Sequence, residues 1–439
     1  MPSVLQCFPF MPKKFLFVSL SALISDIAWQ IRKEGNEVKY FIADPGEKEV
    51  GSGFVEKVDK WEDFVDWADV VIFDDTLGLG EKAQKLRQQG KAVIGGTPYT
   101  DKLEDDRSFG QEEMKKNGIN ILPYQQFSSF QEGIAFVKAN PGKYVLKPCG
   151  EAAKQLLFVG NEEDGSDVIR VLSAYQHTWH KEVKVFQLQK RVVGGVEIAV
   201  GAFFNGNEFI TPINVNFEHK KLFPGELGVS TGEMGTLMFW SEPNRLFNQT
   251  LKKMEESLRN EKYVGYIDIN CIVNGNGIYP LEFTSRFGYP TISIQYDGVI
   301  GGMGEFFYAI ATGQPVKLKT KKGFQVGARI VVPPFPFYDA KKTFESFSKD
   351  AAIVFKKPMP EGVHIEDVKL ENEEWIITGS AGVALIVTGC GMTMKEAQKQ
   401  MYSRIGNILI PNMYYRTDIG NRWFEDSDKL HTWGYLREM

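Results

Sequence analysis

From Lys14 onward the chain writes the order strand, helix, strand twice. KFLFVSL, SDIAWQIRKEG and EVKYFIA come first, then ADVVIFDD, GEKAQKLRQQG and KAVIGG. Apolar runs of strand length that alternate with amphipathic runs of helix length bury their faces best as a parallel sheet covered by helices. Residues 1–98 are therefore predicted to form a doubly wound α/β domain. A chain of 439 residues exceeds what one hydrophobic core serves, so further domains follow.

The next segment, DDRSFGQEEMKKNG, reads as a helix with an Asp cap and a terminal Gly. Residues 124–189 alternate the strands KYVLKP, LLFVG and VKVFQLQ with two amphipathic helices, the pattern of a small α+β lid. Longer strands occupy 190–320, among them EIAVGAFFNG and YIDINCIVNGNGIYPLEF, whose Asn-Gly dipeptides signal hairpin turns. From 321 to 439 a further α+β domain is expected, with a helix in MTMKEAQKQMYSRIGNI. The fold class is thus α/β and α+β multidomain. No internal repeat or low-complexity segment stands out.

A formal net charge of −5 argues against a broad basic face and hence against nucleic acid as a partner. Cys7, Cys149, Cys271 and Cys390 lie far apart with no metal-ligand spacing, which fits a reducing compartment. The apolar stretch at the start is too short for a secretory signal, and no run approaches a membrane span, so a cytoplasmic protein is expected. Met11 is a candidate second start.

Four segments hold residue types suited to chemistry. In YVLKPCGEAAKQLLFVG, Lys147 ends a strand before a small-residue turn, an arrangement that can hold phosphates; an edge-strand lysine before a hairpin is the competing reading. In PLEFTSRFGYPT, period-2 alternation sets Glu282, Thr284 and Arg286 on one face, suited to Mg²⁺ and phosphate or simply to a solvated ion pair. LGVSTGEMGTLMFW reads as a flexible loop of Gly228, Gly232 and Gly235 around Ser230 and Thr231, beside the basic His219, Lys220 and Lys221. In GYIDINCIV, Asp268 and Asn270 are poor strand formers sharing a face, which asks for metal coordination or a polar outer face. No Ser or Cys nucleophile motif occurs.

In this order the segments resemble the glycinamide ribonucleotide synthetase (phosphoribosylamine–glycine ligase) family of ATP-grasp enzymes. DRSFGQEEMKKNGINILPYQQF is similar to the family's phosphate-binding basic residue and following helix, with Arg107 in the basic place. KPCGEAAKQLLFV resembles the lysine and lid loop "KADGLAAGKGV", and VFQLQKRVVGGVEIAV the adenine-binding hinge "EEFLxGEE". HKKLFPGELGVSTGEMGTL resembles "HKR…GPNTGGMG", and PLEFTSRFGYPT resembles "VIEFNARFGDPE". The closing AGVALIVTGCGMTMKEAQKQMYSRIGNI and MYYRTDIGNRW are similar to the family's C-terminal signature.

The resemblance spans roughly residues 99–425. It implies an ATP-grasp body of 99–123 with 190–320, a lid at 124–189, and ATP and Mg²⁺ as cofactors. Arg107, Lys147, Gln189, Lys190, Val192 and Glu197 would bind ATP, and Arg286 with Lys147 would serve catalysis. Glu282, Thr284 and Asp268 would hold the metal, and Lys220, Ser230, Thr231, Gly232, Met234 and Gly235 would form the substrate loop. The implied activity is amide formation through an acyl phosphate between an amino acid such as glycine and an amine acceptor, in a monomer or homodimer. Departures are concrete. Thr284 stands where the family has Asn, Glu233 where it has Gly, and FVSLSALISDIAWQ lacks the glycines, Arg and His of the family's "GSGGREHA". There Ser19 and Ser21 are what a phosphate would meet, beside bulky Leu20 and Leu23. A related ligase with another acceptor, and a catalytically silent nucleotide-binding homologue, are the alternative readings.

Overall fold

The computed structural model describes residues 11–149, 156–181, 183–337, 341–358 and 361–436. The first ten residues, and residues 150–155 of the stretch compared with the family's lid loop, lie outside the described residues. Two compact units are present. One comprises the chain up to Asn117, Glu197–Asn270 and Glu282 onward; the other comprises Gly118–Val196 and Cys271–Leu281.

The first unit opens with β1 (Lys14–Ser19), α1 (Ser25–Lys33), β2 (Glu37–Ile42), β3 (Glu56–Lys57), β4 (Val70–Phe73), α2 (Leu79–Gln88) and β5 (Val93–Ile94). These strands form a parallel sheet in the order β3-β2-β1-β4-β5, as the alternating pattern predicts. Phe15, Leu16, Phe17 and Val18 of the central strand are all buried, which is why the run is continuously apolar and not alternating. Ile24, Ile27, Ala28 and Ile31 make up the buried stripe of α1.

Thr97 and Thr100 cap each other's backbone at the start of α3 (Pro98–Asp105), with Pro98 at its first position. Asp106 then accepts from the amides of Ser108 and Phe109 and starts α4 (Arg107–Lys116), so Arg107 sits at a helix N-terminus.

The second unit holds β6 (Tyr124–Phe127), α5 (Phe130–Ala139), β7 (Tyr144–Pro148), β8 (Phe158–Val159), α6 (Ser166–Thr178) and β9 (Phe186–Lys190). Its antiparallel sheet runs β6-β9-β7-β8 over a core of Val137, Tyr144, Leu146, Val168, Leu172 and Phe186.

Returning to the first unit, the chain builds β10 (Val196–Asn205), β11 (Ile213–Glu218), β12 (Lys221–Phe223), β13 (Leu227–Ser230) and β14 (Gly235–Ser241). The helices α7 (Arg245–Gln249) and α8 (Glu255–Asn260) lead to the hairpin of β15 (Val264–Asn274) and β16 (Gly277–Thr284), whose tip belongs to the second unit. After α9 (Thr291–Gly298) and α10 (Met303–Ala311) come β17 (Phe324–Val331), α11 (Lys341–Phe347), β18 (Ala352–Phe355) and β19 (Val363–Ile365). The chain closes with β20 (Val368–Glu371), β21 (Glu374–Ile377), β22 (Val383–Gly391), α12 (Met394–Ile405), β23 (Ile408–Leu409) and α13 (Arg422–Thr432).

An eight-stranded sheet, β16-β15-β10-β11-β14-β17-β22-β19, carries α9 on one face. Phe203, Tyr266, Phe287, Phe306 and Phe307 continue into the core that holds Phe17, Ile27 and Tyr40, so the N-terminal sheet and the large sheet share one apolar cluster.

Two expectations about local structure change. Strand β16 stops at Thr284, so Arg286 leaves the strand and is aimed by the turn that follows instead of by alternation. The glycine-rich stretch expected to be a loop is mostly strand: Lys221 of β12 pairs with Ser230 of β13, and only residues 231–234 link it to β14. That link is tethered, because Thr231 N and Oγ1 both donate to the Lys220 carbonyl, at 2.8 and 2.9 Å. At Gly235 a Cβ would lie 2.4 Å from the Gly327 carbonyl oxygen, so only glycine lets β14 and β17 approach there.

Candidate active site

Charged side chains gather where β10, β11 and the β15–β16 hairpin run side by side in the first unit. Asp268 and Asn270 point the same way from β15 and are both buried. Asn270 Nδ2 donates to Glu197 Oε1 (3.2 Å) and Glu218 Oε2 (3.3 Å), and Lys220 Nζ meets the same two oxygens at 2.9 and 3.2 Å. One ammonium and one amide thus hold two carboxylates together. Burial works against the charge of Lys220, yet Glu218, Glu197 and Glu282 outweigh it and raise its pKa well above the ordinary lysine value. Burial likewise opposes the charge of Glu197, and Lys220 overrides it to hold the carboxyl below its usual range.

Asp268 and Glu233 respond in the opposite sense. Burial first, and the negative charge of Glu218 second, push both carboxyls well above the usual range. Glu233 Oε1 is enclosed without a hydrogen-bond partner, as are both polar atoms of the Asn216 side chain. Thr284 donates toward Asp268 and favours its charged form. Carboxylates in this state are short of a cation.

Next to them, Glu282 Oε2 meets Arg107 NH2 at 3.2 Å, so the resemblance-implied metal ligand and phosphate ligand occupy one spot. Arg286 is held on three sides: NH2 is 3.0 Å from Glu104 Oε1, Nε is 3.6 Å from Asp75 Oδ1, and NH1 donates to the Phe287 carbonyl at 2.8 Å. Glu104 also accepts from the Ser285 amide at 2.8 Å, which pins the turn that carries Arg286. Among the described residues, no group of three or more His, Cys, Asp or Glu converges as a closed metal cage. The donor set is that of a hard cation which takes one or two carboxylates and completes its shell with phosphate and water, so Glu282 with Asp268 fits Mg²⁺.

In the second unit, Lys147 Nζ donates to Gln189 Oε1 at 2.6 Å across the register of β7 and β9, and both side chains are buried. Lys190, one residue on, is exposed and reaches over the Tyr144 ring at 5.8 Å. Val192 follows the end of β9 and is half-buried. Within the expected substrate loop Gly232 is open on all sides, Met234 is buried with its amide on the His219 carbonyl, and Ser230 is exposed at the end of β13. His219 is no part of a basic cluster. Burial, then the charges of Arg422 and Arg416, lower its pKa to about 3, so the imidazole is neutral and its Nε2 accepts from the Gly420 amide at 3.4 Å.

Sequence reasoning passed over Asp75, Glu104, Glu218 and Asn216. Two acids directly after the apolar run VVIF were the available signal for Asp75, since ligands of open α/β sheets sit at the carboxyl ends of strands. Glu104 and Glu218 give no such signal, because only folding brings them to Arg286 and Lys220.

A parallel α/β sheet joined to a large antiparallel sheet whose end carries this carboxylate and cation cluster defines the ATP-grasp class. Residues 105–292 match the phosphoribosylglycinamide synthetase ATP-grasp (A) domain. The phosphoribosylamine–glycine ligase of Streptococcus pneumoniae is 26% identical over 363 residues, which are 80% of this chain and 82% of that protein. The crystal structure of the Thermotoga maritima phosphoribosylamine–glycine ligase superposes with a TM-score of 0.68 at 20% identity, covering 92% of this chain and all of that one. The biotin carboxylase domain of Hydrogenobacter thermophilus 2-oxoglutarate carboxylase, solved with MgADP and bicarbonate, gives 0.62 at 15% identity over 98% of this chain and all of that one. Both structures speak to the fold.

Proposed function

We propose that the protein is an ATP-dependent carboxylate–amine ligase of the phosphoribosylamine–glycine ligase type, forming an amide through an acyl phosphate. The observation that carries this reading is the junction of Glu282, Arg107, Asp268 and Arg286 at one end of the β15–β16 hairpin. There Arg107 would take an ATP phosphate, Glu197 would contact the nucleotide, and Glu282 with Asp268 and Thr284 would hold Mg²⁺; of the second unit, Lys147, Gln189, Lys190 and Val192 are the residues that would contact ATP. The metal, when bound, supplies charge neutralisation at the transferring phosphate.

The chain's own part is positioning and electrostatics, which dominate phosphoryl transfer. Arg286, immobilised by Glu104 and Asp75, faces the charge that grows as the donor carboxylate attacks the γ-phosphorus and ADP leaves. An amine then attacks the acyl carbon, the C–N bond forms, and phosphate departs. The tethered link 231–234 with Lys220 covers the acyl phosphate against water. A division into an N-terminal domain of 1–98, a body, a lid at 124–189 and a C-terminal domain of 321–439 belongs to the same proposal, as does a reducing compartment. Among the described residues no helix is long and apolar enough to cross a membrane.

The test is ADP release with Mg²⁺ in the presence of glycine and phosphoribosylamine generated in place, against glycine alone and a panel of other amino acids and amines. Release that requires both a carboxylate and an amine supports a ligase. Absence of release with every pair supports a silent nucleotide-binding homologue instead.

A further inference from the structure

A cavity of about 460 Å³, lined by none of the candidate active-site residues, lies in the first unit where the last turn of α1, the C-terminal end of α9 and the start of β19 come together. That volume falls within the range of small-molecule sites, about 300–1,000 Å³. One wall is fixed by an ionic clasp. His364 is buried 2.7 Å from Asp26 and 3.5 Å from Asp297, and the Thr388 hydroxyl also donates to Asp297. Burial opposes the charge of Asp297, yet His364 and Thr388 hold its pKa down at about 2, so this carboxylate stays ionised. Glu34 is committed elsewhere. It accepts from the amides of Met303 and Gly304 at 2.9 and 2.8 Å and closes the N-terminus of α10.

Three further charges line the cavity, two positive and one negative. Lys33, in the last turn of α1, sets its ammonium 3.9 Å from the centre of the Trp29 ring. Lys321 is held in place through its amide, which donates to the Gly298 carbonyl at 2.8 Å just beyond Asp297. Glu361 precedes β19 by two residues. Among the described residues none of these three side chains enters an ion pair, so their charges remain available to a ligand. Val299 and Met303 add an apolar wall against which methylene groups can lie.

We propose that this cavity binds a small amino dicarboxylate, its two carboxylates on Lys33 and Lys321 and its ammonium between Glu361 and Asp297. The pattern of charge selects that class. A plain dianion would satisfy the lysines but bring like charge against Glu361 and Asp297, and a diamine would do the reverse. An amino dicarboxylate meets all four with opposite charge. Once bound, it ties α1 to α9 and to the start of β19, the same elements that the His364 clasp joins from beneath. The site needs no turnover and stands whether or not the chain is a ligase.

Binding to the full chain is measured by calorimetry and thermal shift without ATP or Mg²⁺, with L-glutamate and glutarate as probes. L-Glutamate is expected to bind at one site per chain and to raise the melting temperature. Glutarate, which lacks the ammonium, is expected to bind at least about tenfold more weakly, a change of about 1.4 kcal/mol. Lys33→Met and Lys321→Met should each weaken both probes at least about tenfold. Glu361→Gln should weaken L-glutamate alone and bring it down toward glutarate. Arg286→Met, which alters the candidate active site, should bind L-glutamate as wild type does. No response to L-glutamate, equal binding of the two probes by wild type, or binding that both lysine substitutions leave unchanged each overturns the proposal. Loss of binding in Arg286→Met with Lys33→Met unaffected also overturns it, because the ligand would then sit in the candidate active site.

Discussion

Two acidic regions meet at Arg286, and they are balanced differently. At the hairpin end, Glu197 and Glu218 share Lys220 and Asn270, and Glu282 is matched by Arg107. After β4, Asp74 is fully buried against the Ser19 hydroxyl, and Arg286 is divided between Asp75 and Glu104. The first region lies within the stretch that matches the family, residues 105–292, while Asp74, Asp75 and Glu104 lie just before it. Acids drawn from neighbouring strands thus share an ammonium and an amide in the first region, while in the second a single guanidinium serves acids from the end of β4 and from α3.

The strongest way to break the comparison is to remove the residue common to both regions. Arg286→Met is expected to lower kcat by about 10²–10³-fold, the usual cost of losing a transition-state charge partner. It also leaves Asp75 and Glu104 without a counter-ion. Steady-state ADP release with Mg²⁺ measures the loss, and an unchanged kcat would remove Arg286 from the chemistry.

The next effect concerns the clasp between α1 and α9. His364 is fully buried between Asp26 of α1, at 2.7 Å, and Asp297 of α9, at 3.5 Å. Burial opposes its charge, but the two carboxylates raise its pKa to about 10, above the ordinary value of 6.5. Because the folded-state value is the higher one, its stabilisation is complete below about pH 6.5 and is lost as pH rises toward 10. His364→Gln is expected to cost about 3 kcal/mol at neutral pH, the scale of breaking a buried ion pair from one side. Between pH 6.5 and 10 its melting temperature should be flat where that of wild type falls; equal slopes would remove the clasp.

A smaller effect sharpens the nucleotide side. Glu282→Gln is expected to weaken the Mg²⁺ dependence of ADP release by at least the roughly 10–100-fold that loss of a metal site's hydrogen-bonding partner brings. An unchanged Mg²⁺ dependence would remove Glu282 from the metal site.

The smallest expected change is in Glu233→Gln. Its carboxyl is held neutral by burial and by Glu218, so below about pH 4.5, where the unfolded state is protonated too, an amide of the same shape should change stability by less than about 0.5 kcal/mol. Above that pH the variant should become progressively more stable than wild type, since the unfolded carboxyl ionises while the folded one is held protonated. A loss of more than about 2 kcal/mol in urea titrations would mean that Glu233 is charged and paired.

How much of this was legible beforehand differs from residue to residue. The N-terminal α/β layer was readable because FLFV and VVIF are continuous apolar runs, as strands buried on both faces require. Lys147 lies opposite Gln187 and reaches diagonally to Gln189 on the same face of two antiparallel strands, and Lys147 and Gln189 were both singled out as nucleotide ligands by resemblance. The glycine-rich stretch 228–236 was misjudged as a loop because glycine lowers local strand preference, while pairing of β13 with β12 and of β14 with β11 and β17 overrides it.

By itself, then, the amino-acid order determined the alternation of elements, the strand faces that carry Asp268, Asn270 and Glu282, and the helix N-terminus that presents Arg107. Each depends on period, capping and turn chemistry within a few residues. The charge state of those groups was decided by tertiary structure alone. Asp74 is held against Ser19 because β1 and β4 pair side by side, and Lys220 is shared because β10, β11 and β15 stand side by side. Coulomb interactions and desolvation depend on distance through space, and the distance between Glu218 and Glu197, or between Glu104 and Arg286, is not written in their sequence separation.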